Sequence, residues 1–166
     1  MKALDSERLD EMLRMFAVAI SGAIFMVVQR WLFENFLIPR FRYIGNPLVF
    51  LNYAYNPAII SVFAASVLSI ILWYLTSLKL RDDWEPKKLK LATSIWFIFL
   101  LIPITIMAIF LWIIGNKSQI LLPFSAISLV FDIIWLFWQG TSVGTPSTVS
   151  AAIPLSHLWR GLWRIK

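Results

Sequence analysis

Four stretches of this chain run almost free of charge for about the length a helix needs to cross a bilayer, and nothing else in the sequence constrains the fold as strongly. They extend from Met15 to Val28, Pro57 to Leu78, Leu91 to Ile114, and Ile120 to Trp138 with one interruption at Asp132. A helix rising ~1.5 Å per residue requires about 20 residues to cross ~30 Å of hydrocarbon. The last three runs reach that length as they stand. The first reaches it only by continuing through Gln29, Arg30 and Glu34 to about Leu37. Composition agrees, with 60% hydrophobic and 14% charged residues against about 45–50% and ~25% for soluble domains. The sequence therefore predicts an all-α membrane protein forming a single polytopic domain over residues 1–166. Four transmembrane helices are expected at roughly 14–37, 57–78, 91–114 and 120–138, with short amphipathic interfacial helices at the N- and C-termini and an interfacial tail over 139–166.

Four spans put the N-terminus, the Leu78 to Lys90 connection and the C-terminal tail on one side. That side carries eleven of the fifteen Lys and Arg residues, and the other has only Arg30, Arg40, Arg42 and Lys117. The positive-inside rule then places both termini in the cytoplasm, or on the equivalent side of an organelle or thylakoid membrane. Asp5, Glu7, Asp10 and Glu11 stand where a cleaved leader would carry a short basic region, so the first helix is expected to remain as an anchor.

Several function classes fall away. Without cysteine, and with His157 as the single histidine, the chain has no thiolate nucleophile, no Cys-based metal site and no two-His metal or haem site, so neither metal nor cofactor is expected. HExxH is absent, and one intramembrane aspartate does not make an aspartyl dyad. An enzyme is not expected. The net charge of +6 reads as orientation and attraction to anionic headgroups on the cytoplasmic side, with no nucleic-acid partner.

The ends are amphipathic. Leu9, Met12, Leu13 and Phe16 fall on one helical face, predicting a short surface helix before the first span. After a GTSVGTPST stretch expected to be flexible, Leu155, Leu158, Trp159 and Leu162 share a face opposite Arg160 and Arg164. Trp159 and Trp163 are placed at headgroup depth, with Arg160 and Arg164 toward anionic lipid; docking on a partner subunit is the alternative for this segment. The outer connection contains two Asn-Pro pairs, at Asn46 and Asn56, which read as turns.

The polar groups within the spans are the candidate functional residues. On the fourth helix Ser125, Ser128, Asp132, Trp135 and Gln139 follow a 3-4-3-4 spacing and form one stripe that must face protein or water. An Asp near mid-span costs roughly 2.5–3.5 kcal/mol on insertion scales, so it should be paired, solvated or neutral. If the helix ends near Trp138, Asp132 lies about 9 Å from the inner end, with Arg14 as its only evident partner at that depth. Arg30 and Glu34 stand four apart on the first helix, where they can pair on one face. Ala19 and Ala23, on roughly the same face, leave room for a neighbour, and Ser61, Ala65 and Ser69 form a small-residue packing row on the second helix. The third helix, uniformly apolar with Pro103 inside it, is expected to face lipid most.

Two functions fit. One is a non-catalytic subunit, accessory or scaffold protein packing with other membrane proteins or copies of itself. The other is a small homo-oligomeric proton or cation channel or transporter working through Asp132.

Overall fold

The structure, a computed structural model, describes residues 2–41, 45–82 and 85–162. It is all-helical, with no strand among the described residues and four helices long and apolar enough to cross a membrane. These are Arg8–Arg40, Pro47–Arg81, Leu89–Lys117 and Leu122–Gly144, here the first to fourth helices. A short terminal helix, Ser156–Leu162, follows. The third helix is the least buried of the four.

The first helix is continuous with the N-terminal segment from Lys2, so the expected surface helix is not set off by a break. Leu9, Met12, Leu13 and Phe16 are exposed on it. The second helix starts ten residues before the expected boundary. Asn46 acts as N-cap rather than as a turn residue, its Oδ1 accepting from the Leu48 and Val49 amides at 3.0 and 3.4 Å, with Pro47 in the first turn. Proline is suited to that position because its missing N–H would have no intrahelical partner anyway.

Three of the four long helices contain a five-residue π segment: Phe33–Leu37, Leu51–Tyr55 and Ile134–Trp138. Two of them end two residues before a proline, Pro39 and Pro57. A proline in a helix clashes with the carbonyl four residues back and removes a donor, and the wider i→i+5 turn accommodates both. The third has no proline and begins two residues after Asp132.

The fourth helix runs to Gly144, past the expected end at Trp138. Residues 139–146 are buried, and of the stretch expected to be flexible only Ser147 and Thr148 are exposed. Ser142 Oγ donates to the Trp138 carbonyl at 2.7 Å, and Thr141 Oγ1 to the Phe137 carbonyl at 2.7 Å. Such back-bonding satisfies hydroxyls inside a helix where water is excluded. Two buried indoles anchor this extension: Trp73 Nε1 donates to Thr145 Oγ1 at 2.7 Å and Trp96 Nε1 to Thr141 Oγ1 at 3.0 Å. The first and fourth helices meet through glycine. A Cβ on Gly22 would lie 2.0 Å from Leu136 Cδ2, and one on Gly144 2.2 Å from Met15 Cγ. The start of the first helix and the end of the fourth are thereby at the same end of the bundle.

Beyond Gly144 the chain folds back over that end. Val149, Ala152 and Ile153 are buried. Thr93 Oγ1 donates to the Ala152 carbonyl at 3.0 Å, and Trp138 Nε1 to the Pro154 carbonyl at 2.7 Å.

Candidate functional site

At the middle of the fourth helix Asp132 is 1% exposed, and its partner comes from the first helix. Gln29 Nε2 donates to Asp132 Oδ1 at 3.0 Å and to the Ser128 carbonyl at 3.4 Å. The Ser128 hydroxyl in turn shares a 2.8 Å hydrogen bond with the Tyr55 phenol of the second helix. Tyr55 is held in place by Phe33, whose ring stacks on it with centroids 3.9 Å apart. Three helices are tied together by four polar side chains in an otherwise apolar layer.

The π turns set this geometry. Tyr55 closes one, Phe33 opens another, and the third follows Asp132. Each wide turn shifts the helical register, and such turns concentrate at sites where a side chain must be re-aimed.

The cluster is not fully satisfied. Asp132 Oδ2 and Gln29 Oε1 are buried without a hydrogen-bond partner among the described residues. Beside them lies a small groove of about 270 Å³, with Phe25, Leu32, Phe124 and Phe131 along it and Gln29 and Ser128 among its lining residues. Chemically the arrangement offers two acceptor oxygens in an apolar setting. It has neither a nucleophile with an adjacent base nor, among the described residues, any group of three His, Asp or Glu that could hold a metal ion.

The rest of the polar stripe is internal too. Ser125 is buried with its hydroxyl donating to the Leu121 carbonyl at 2.9 Å, Gln139 is buried, and the half-buried Trp135 donates to Ser21 Oγ at 3.0 Å. Arg14, the partner expected for Asp132, instead pairs with Asp10 at 3.2 Å. The reason is length. With the fourth helix ending at Gly144, Asp132 stands about 18 Å from that end rather than 9 Å, level with Gln29 and out of reach of Arg14.

Arg30 and Glu34 do not pair. Both are exposed, and no ion pair or hydrogen bond joins them among the described residues. Glu34 lies in the π turn, where the stacked neighbour is five residues away rather than four, so the i,i+4 relation fails. Ala23 is exposed and Ala19 half-buried. On the second helix Ser61 and Ala65 are half-buried, and the buried row is Tyr55, Ala58, Val62, Ser66, Ser69 and Trp73. It shares only Ser69 with the small-residue row. The helix is rotated so that Tyr55 and Trp73 face their hydroxyl partners. Arg160 donates from Nη1 to the Thr145 carbonyl at 2.7 Å, bonding just past the end of the fourth helix, and Trp159 is half-buried. Trp163 and Arg164 lie outside the described residues.

Sequence reasoning did not find Tyr55, the glycine contacts or the Trp–Thr bonds. The signal for the Gly140 and Gly144 contacts and the Trp–Thr bonds lay in GTSVGT, whose small and hydroxyl residues read equally as a flexible linker and as a close-packing helix face.

Comparison with protein-family models, with curated proteins and with solved structures finds no match to this chain.

Proposed function

We propose that this protein is a non-catalytic integral membrane subunit or scaffold, with both termini cytoplasmic, that associates through the first helix with another membrane protein or a second copy of itself. The observation that carries the reading is the contrast between two sets of polar groups. The stripe containing Asp132 is turned inward and bonded within the chain. Arg30 and Glu34 face outward, on a row with Phe16, Ile20, Ala23 and Val27 that is exposed throughout. Apolar residues on that row suit lipid. A guanidinium and a carboxylate without an ion pair, near the outer end of a span, call for a polar partner or the headgroup zone.

The absence of cysteine makes a direct test simple. Single cysteines at Ala23 and Val27 should cross-link to a second copy or to a co-purified membrane subunit in native membranes. A cysteine at Ile109 on the third helix should not. Equal yields at all three positions would sink the proposal.

A second reading, a proton or cation pathway through Asp132 in an oligomer, is favoured by one observation: the two buried acceptor oxygens without partners beside the small groove. It makes the opposite prediction for transport, since Asp132→Asn would then abolish flux.

A further inference from the structure

A cavity lies far from Asp132, at the end of the bundle where the chain folds back. It encloses about 820 Å³ and is lined by Arg14, Arg160, His157, Ser150 and Ser156, with Ile153, Pro154 and Leu155 among its apolar wall. Ligand pockets of about 300–1,000 Å³ are typical of small-molecule sites. Among the described residues, no acidic side chain lines it.

We propose that this cavity binds a phosphate group, supplied in a bilayer by the headgroup of an anionic lipid. The chemistry is that of the lining: two guanidinium groups from opposite ends of the chain and a histidine can donate to phosphate oxygens, while the Ser150 and Ser156 hydroxyls donate to the Ser147 and Ser150 carbonyls and shape the wall. Both guanidiniums are held in place beforehand. Arg14 is braced by Asp10 at 3.2 Å, and Arg160 by the Thr145 carbonyl at 2.7 Å. The bond to Asp10 occupies part of the five-donor fork of Arg14.

The opposite wall is fixed as well. Ser156 Oγ donates to the Ser150 carbonyl at 2.7 Å, and Trp138 ties the Pro154 carbonyl. Between them Leu155 has φ 59°, the left-handed region that a leucine rarely enters. This conformation, which costs roughly 1–3 kcal/mol, persists only where the surroundings impose it, and ligand clamps are a common setting. It turns the chain so that Ser156, His157 and Arg160 come round to Arg14.

Depth selects the lipid as the source. Arg14 immediately precedes the uncharged run that begins at Met15, so in a four-span protein the cavity sits at the level of the headgroups. A phosphate there would join the N-terminal helix to the C-terminal fold, two segments otherwise distant in sequence.

The test is native mass spectrometry of the full chain released from mixed micelles holding phosphatidic acid or phosphatidylcholine with the same acyl chains. A parallel arm uses thermal unfolding in detergent with inorganic phosphate. The natural protein should retain phosphatidic acid over phosphatidylcholine. Arg14→Gln should lower that retention about tenfold, as loss of one charge-assisted contact implies. His157→Gln, at an exposed side chain whose change leaves the braces intact, should lower it less, and Lys90→Gln, outside the cavity, should leave it unchanged. Stabilisation by inorganic phosphate that disappears in Arg14→Gln would uphold the phosphate site and assign it a soluble source. Equal retention of both lipids, or retention by a folded Arg14→Gln equal to that of the natural chain with no phosphate effect, would overturn the proposal.

Discussion

Asp132 is held by a neutral amide. A carboxylate bridged to Arg or Lys within the spans would carry two charges out of water, whereas Gln29 supplies a donor at 3.0 Å without a second charge. The amide serves an ionised or a protonated acid equally on that side. Replacing Asp132 by Asn keeps an acceptor for Gln29 and should change unfolding stability in detergent little. Gln29→Leu leaves a buried carboxyl without its donor and should cost about 1–2 kcal/mol, within the range of interhelical hydrogen bonds in bundles. Equal effects of the two substitutions would show that the bond does not matter to the fold. That Asp132 is buried on a polar stripe could be read from its 3-4-3-4 spacing. Its partner could not, because the depth of Asp132 depends on where the fourth helix ends. A six-residue error at Trp138 moves it by about 9 Å, away from the level of Gln29 and toward that of Arg14.

Between elements, glycine and tryptophan together do the work that apolar burial does in water. Gly22, Gly140 and Gly144 let the fourth helix approach so closely that a Cβ would lie 2.0 Å from Leu136, 2.7 Å from Ile70 and 2.2 Å from Met15. Those neighbours are flexible side chains that can shift for a methyl group, but not for a branched residue. Gly22→Val should therefore destabilise the protein by about 1–3 kcal/mol, the usual cost of overpacking. Gly161→Ala, with nothing within 4 Å, should be neutral, and thermal unfolding of the two variants side by side checks both. Trp96→Phe keeps an aromatic ring beside Phe137 and Trp138 but removes the donor to Thr141, with an expected loss of about 0.6 kcal/mol. The helices were legible because four uncharged runs leave the backbone no other way to satisfy its hydrogen bonds in lipid. The π turns were less so: Pro39 and Pro57 mark two of them only from beyond their ends, and nothing in IWLFW distinguishes a wide turn from an ordinary one. The reading of Asn46-Pro47 as a turn failed for a related reason: the pair that opens a turn also opens a helix.

At the scale of the whole molecule, the bundle is covered at one end by the folded-back tail, and Phe16, Ile20, Ala23 and Val27 are exposed along the first helix. The four-span topology is checked by single cysteines at the exposed Lys87 and Lys117, which should label from opposite faces of sealed vesicles; labelling from one face would refute it. If Asp132 binds helices together and does not conduct, as proposed, proton or cation flux into liposomes holding the purified protein should stay at background for both the natural chain and Asp132→Asn. Flux in the natural chain that the substitution abolishes would make Asp132 a conducting group instead.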